Sequence, residues 1–142
     1  MKSKIIPFAL SIIFVFSLTP LVVKADKASN RITRQILAKE ALLNLQNHNL
    51  TAVTVQLEPG VIVPTHTHTG FVFVYVLEGT IVSQLNNNEM VEYTTGESWV
   101  EPPNTIHSLT QNPSQTVAAK ILAIIVAEKD AKLTVMNKPT IK

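Results

Sequence analysis

The 142-residue chain contains no cysteine. That absence excludes disulfides, iron–sulfur clusters, thiolate metal sites and cysteine nucleophiles. Any metal must then be held by nitrogen and oxygen, which suits Fe, Mn, Ni, Cu or Zn in a histidine-rich site. The sequence also lacks a G-x-G-x-x-G after a strand, a P-loop and a G-x-S-x-G elbow, and with them the common phosphate-cradling and serine-nucleophile signatures. There are no internal repeats, no low-complexity tracts and no Lys/Arg cluster. Nucleic acid is therefore a poor candidate partner.

The apparent excess of positive charge rests on the first residues. Met1-Lys2-Ser3-Lys4 is a basic head, and Ile5 to Val23 is uncharged and mostly apolar. Val23-Lys24-Ala25 then supplies small or aliphatic residues at the two positions a signal peptidase reads. This pattern predicts a signal peptide over residues 1–25, cut after Ala25, and a periplasmic or secreted protein without a stable membrane anchor. Such a cut removes three of the 12 basic residues and none of the 10 acidic ones, so the formal charge falls from +2 to about −1.

What remains reads as one domain with room for a core. Residues 26–49 are expected to form an N-terminal arm. Ile32, Ile36, Leu37, Leu42, Leu43 and Leu45 give a partial helical period there, which predicts a short helix or an irregular entry segment. From Leu50 the pattern turns to β. Leu50–Leu57, Val61–Val63, Thr80–Leu85, Glu89–Tyr93, Ser98–Glu101, Ile106–Thr110, Thr116–Val126 and Leu133–Met136 read as short strands. Phe71–Leu77 is an unbroken apolar run, as expected of a strand buried on both faces. Glu58-Pro59-Gly60, Glu78-Gly79, Asn86-Asn87-Asn88 and Thr94-Thr95-Gly96 mark the turns. The expected architecture is an all-β sandwich or barrel over residues 50–136, with a short tail at 137–142.

Two of the four histidines, His66 and His68, lie one residue apart. On an extended strand, side chains two apart share a face, so both imidazoles aim the same way and form half of a metal site. His107 follows a strand (Ser98–Glu101) and a Pro102-Pro103 turn, and an antiparallel return would bring it to the same place. Three neutral imidazoles in an apolar barrel bind a divalent metal and leave positions open for water or substrate. His48 falls in a polar stretch and reads as a surface histidine.

These residues carry a resemblance. Gly60-x5-His66-x-His68 followed by Val76-Leu77-Glu78-Gly79 is similar to the first motif of the cupins, G-x5-HxH-x3,4-E-x6-G. Gly96-x5-Pro102-x-Asn104-x2-His107 is similar to their second, G-x5-P-x-G-x2-H-x3-N. The likeness spans Leu50 to about Val126 and is greatest to small exported bacterial single-domain cupins. It implies a double-stranded β-helix, the RmlC-like jelly roll, with a divalent metal on His66, His68 and His107.

Three departures accompany it. Cupins usually offer a ligating Glu four residues after the second histidine, where this chain has Val72, and no acid lies between His68 and Glu78. Asn104 stands in place of the second-motif glycine, and the closing Asn has moved to Asn112. Some cupin dioxygenases hold iron on three histidines alone, so the resemblance still implies a metal site. Glu101 is the nearest replacement acid, as a catalytic acid or a ligand, against the plainer reading of a charge exposed at a strand end. Gln56 and Gln84 are weaker polar candidates, and Trp99 and Tyr75 are candidate pocket walls. The resemblance thus implies a metal-dependent dioxygenase-like or isomerase-like enzyme on a small oxygen-rich substrate. The alternatives are a small-ligand or metal-binding module without turnover, and an assembly role as a homodimer paired through an edge strand.

Overall fold

The computed structural model describes residues 31–137, so the expected signal peptide and the last five residues of the tail lie outside the described residues. Eleven strands run β1 Ile32–Ala41, β2 His48–Leu57, β3 Ile62–Val63, β4 His66–His68, β5 Phe71–Glu78, β6 Thr80–Leu85, β7 Val91–Thr94, β8 Ser98–Glu101, β9 Ile106–Gln111, β10 Ala119–Glu128 and β11 Thr134–Met136. They form two antiparallel sheets, ordered β1-β2-β10-β5-β8 and β11-β4-β9-β6-β7, with β3 added alongside β9. This is the all-β jelly roll the motifs imply, and no helix occurs among the described residues.

The core follows from period-two burial. On β10, Ala119, Ile121, Ala123, Ile125 and Ala127 are buried in alternation. Across from them, Val72, Val74 and Val76 of β5 point inward. Three alanines in the inner row of β10 give less side-chain bulk than a fully branched row, and a cavity of about 190 Å³ lies between the sheets.

Two expectations are corrected. The stretch read as a short helix or irregular arm is β1, paired along its length with β2. A register shift between Ile36 and Ala38 explains the misreading: a bulge adds a residue, so apolar neighbours such as Ile36 and Leu37 mimic a helical spacing. The run Phe71–Leu77 is buried on one face only, for Phe71 and Tyr75 are 42% and 37% exposed on the outer side. An antiparallel sheet has one face on the core and the other toward solvent.

The turns hold as read. Asn86 has φ 54° and Asn104 φ 61°, left-handed values that Asn tolerates better than other side chains. At Gly70 a Cβ would meet the Val126 carbonyl oxygen at 2.1 Å, so the corner between β4 and β5 can pass against β10 only without a side chain.

Candidate metal centre

Strand parity delivers His66 and His68 to one face of β4, as their spacing predicts. β9 runs antiparallel beside β4 and places His107 directly opposite His66. The backbone fixes this approach, because the Asn104 N–H donates to the His68 carbonyl at 2.7 Å. Ring centroids of His66 lie 4.9 Å from His68 and 5.1 Å from His107. One nitrogen of each of the three imidazoles falls within 4.8 Å of the others.

Carbonyl oxygens only accept hydrogen bonds, and this settles two tautomers. The Nδ1–H of His66 donates to the Pro64 carbonyl (2.9 Å), and that of His68 to the Leu133 carbonyl (3.0 Å). Both rings therefore keep a lone pair on Nε2, the form that ligates metal. His107 presents Nδ1 to Glu101 Oε1 at 3.2 Å. Its Nε2 meets the hydroxyls of Ser83 (2.8 Å) and Thr110 (2.9 Å). An ionised carboxylate only accepts, so the His107 Nδ1–H donates to Glu101, and Nε2 accepts from the two hydroxyls. Burial lowers the His66 pKa to about 4, only partly opposed by the Pro64 hydrogen bond, while His107 and His68 beside it lower it further. The ring is neutral at ordinary pH.

Glu101 is not the exposed strand-end charge of the plainer reading. It is 1% exposed and lines the cavity together with the three histidines. The Trp99 indole N–H donates to Oε1 at 2.9 Å. Oε2 has no hydrogen-bond partner and lies 3.8 Å from His68 Nε2. Burial pushes the carboxyl pKa up, but the His107 hydrogen bond and charge, with Trp99, outweigh it and hold the group below the ordinary glutamate value.

Trp99 lines the cavity as expected, whereas Gln56, Gln84 and Tyr75 do not. Gln56 bonds Glu58, and Gln84 bonds the Asn88 carbonyl. The hydroxyls of Ser83 and Thr110, and the β11 segment that supplies Leu133 and Thr134, are the parts missed from sequence. Strand parity held a signal for Ser83: Ile81 and Leu85 belong inside, and Ser83 shares their side of β6.

The remaining wall is apolar, including Val53, Val55, Leu57, Val72, Val74, Ile121 and Ile125. Among the described residues, two buried side-chain atoms lack a partner, Glu101 Oε2 and Thr51 Oγ1, and both residues line this cavity. Unpaired buried polar groups are costly, and both of these are concentrated at this one cavity.

The family model described as the cupin domain matches residues 53–125. No curated protein matches the chain. Among solved structures, the chain is similar to an RmlC-like cupin from Shewanella frigidimarina, with 19% identity over 73% of this chain and 83% of that one at a TM-score of 0.57. It is similar to the DMSP lyase DddQ of Ruegeria pomeroyi, with 18% identity over 85% and 58% at a TM-score of 0.63. It is also similar to oxalate decarboxylase of Bacillus subtilis, with 20% identity over 63% and 24% at a TM-score of 0.54.

Proposed function

The chain belongs to the cupin family, and on that premise we propose that it is an exported metal-dependent enzyme, dioxygenase-like or isomerase-like, acting on a small oxygen-rich substrate. His66, His68 and His107 hold a divalent metal (Fe, Mn, Ni, Cu or Zn), and Glu101 is the acid that moves the substrate proton. One observation carries the reading: three imidazoles converge on one cavity, and His66 and His68 each keep an Nε2 lone pair there. The Pro64 and Leu133 carbonyls fix their ring orientation, as outer partners of metal-binding histidines do.

When bound, the metal supplies Lewis acidity toward substrate oxygens and, if redox-active, a place for O₂. The protein's share is positioning and exclusion of water. The apolar walls strip solvent from a bound molecule, and the unpartnered Thr51 hydroxyl offers it a hydrogen bond. Among the described residues Glu101 is the one carboxylate on the cavity wall, so a proton leaving or returning to the substrate has this acceptor within the pocket. The lyase and the decarboxylase among the similar structures carry two different reactions, so the reaction type must come from the site and not from the fold. Export is supported by the basic head, apolar run and Ala25 ending described above.

Metal analysis of the purified protein tests the centre, with His66→Ala and His107→Ala as controls. Both substitutions should deplete the bound metal; unchanged metal content would end the metal reading. Turnover is tested by oxygen consumption, and by product formation under anaerobic conditions, with phenolic, diketone and hydroxy-acid substrates. A metal-loaded protein that binds these but turns over none is a binding module.

A further inference from the structure

The His68 ring and Glu101 face each other in a way that hydrogen bonding alone does not explain. His68 spends its Nδ1–H on the Leu133 carbonyl, so its Nε2 is an acceptor. The nearest atom of Glu101, Oε2, is 3.8 Å away, buried and unpartnered, and is also an acceptor. The Nε2 of His66, whose proton likewise sits on Nδ1, is a further acceptor in the same cavity. Three acceptors thus meet without a donor among them. An ionised carboxylate in an apolar cavity costs several kcal/mol (order of magnitude) unless a counter-charge meets it, and no Lys or Arg forms an ion pair with Glu101 among the described residues. A cation placed among these atoms satisfies them together.

From this arrangement we propose that Glu101 Oε2 is a fourth protein ligand of the metal, giving a three-nitrogen, one-oxygen centre. The proposal rests on the three-histidine reading above, gives Glu101 a ligand's role in place of the proton-moving one, and adds the source of the compensating negative charge. Oε1 is held by Trp99 and faces His107, so the carboxylate is already oriented and Oε2 remains free to ligate. The strand ladder explains how the acid comes to be there. Across the β5–β8 pair, Glu101 stands directly opposite Val72, and both side chains face the cavity. Directly opposed residues of an antiparallel pair have Cβ atoms roughly 5 Å apart. A carboxylate on either strand can therefore reach the same point. One ligating carboxylate lowers the charge of a divalent centre from +2 to +1. The open positions then suit a monoanionic oxygen donor.

Cobalt(II) serves as the probe, because its visible spectrum reports the ligand set and its affinity is read by calorimetry without any turnover assay. Glu101→Gln keeps the shape and the Trp99 contact but removes the charge. It should weaken cobalt binding at least tenfold, since even loss of an outer-shell partner costs about 10–100-fold, and it should alter the spectrum. The double variant Val72→Glu/Glu101→Ala should recover affinity to within a few-fold of the parent, by returning a carboxylate from the facing strand. Glu101→Gln with unchanged affinity and spectrum overturns the fourth-ligand role. If His66→Ala then still abolishes binding, the three-histidine centre stands; if it does not, that centre falls as well. Should Glu101→Gln fail to fold by circular dichroism, the unmodified protein decides the matter in a zinc-loaded crystal. An Oε2–zinc distance of about 2.0–2.2 Å supports ligation, and a separation beyond about 3 Å refutes it.

Discussion

Asn104 and His68 are joined by a backbone hydrogen bond of 2.7 Å, so the turn that delivers His107 is tied to the strand that carries the other two histidines. Asn104 makes this bond from a left-handed backbone, φ 61°. Glycine has no penalty there, whereas a β-branched residue does. Asn104→Gly should leave stability within about 0.5 kcal/mol, and Asn104→Val should lower it by about 1–2 kcal/mol. Urea unfolding measures both. Zinc affinity should drop for the valine variant alone, because the turn that positions His107 is strained.

Thr51 places an unpartnered hydroxyl in the cavity wall. Replacing an unsatisfied buried polar group by an apolar one of the same shape is neutral or stabilising. Thr51→Val should therefore raise the midpoint of thermal unfolding by a degree or more, or leave it unchanged, while weakening whichever substrate the activity screen identifies. A variant that loses several degrees would show that the hydroxyl has a partner in solution.

Acid should destabilise the metal-free protein through two groups acting in the same direction. His66 is held neutral in the fold with a pKa of about 4, against about 6.5 in its absence. Between those values the unfolded chain binds more protons, so this contribution is complete above pH 6.5 and is lost as the pH falls toward 4. It amounts to up to about 3 kcal/mol. Glu101 is also depressed below its ordinary 4.5, so its contribution is present above that value and disappears as the pH falls through the lower, folded one. Chemical unfolding at pH 7 and pH 4.5 should show the loss. In His66→Gln the dependence between those two pH values should flatten; a parent protein equally stable at both would refute the prediction.

Asn112 clamps three segments. Its amide nitrogen donates to the carbonyls of Leu57, Glu58 and Val117, and its oxygen accepts from the Ser114 N–H. The side chain is fully buried. Asn112→Ala removes all four bonds, of which the one to Leu57 is fully buried, at a cost of about 2–4 kcal/mol. The chevron or equilibrium midpoint should move accordingly, with the three-histidine cluster intact in the folded fraction.

The three histidines were legible because each depends on a short-range rule. Two residues apart on a strand means the same face, and a Pro-Pro turn before His107 means a return. Most strand positions were legible too, since turn residues bound them. The acid was harder to read. Glu101 lies 33 positions beyond His68 in the chain, and only the β5–β8 register shows that it faces Val72. A ladder pairing of that kind leaves no mark on local spacing. The edge strand β1 was misread for a different reason: its bulge breaks the alternation by which strands are recognised. Gln56 and Gln84 are polar residues on barrel strands, but Leu57 and Ile81 show which parity faces inward, and both glutamines have the other.

That edge strand gives the cavity an uneven boundary. Arg34 and Ile36 of β1 form part of its wall, yet among the described residues β1 is hydrogen-bonded to β2 alone. Local stability is lowest where few ladder bonds hold an element. The pocket is thus walled in part by strands bonded along both edges, and in part by the sheet-end strands β1, β8 and β11, each bonded along one edge. The slow step in exchanging a molecule past Ile36 would be the breaking of consecutive ladder bonds, and amide hydrogen exchange along β1 reads that step directly.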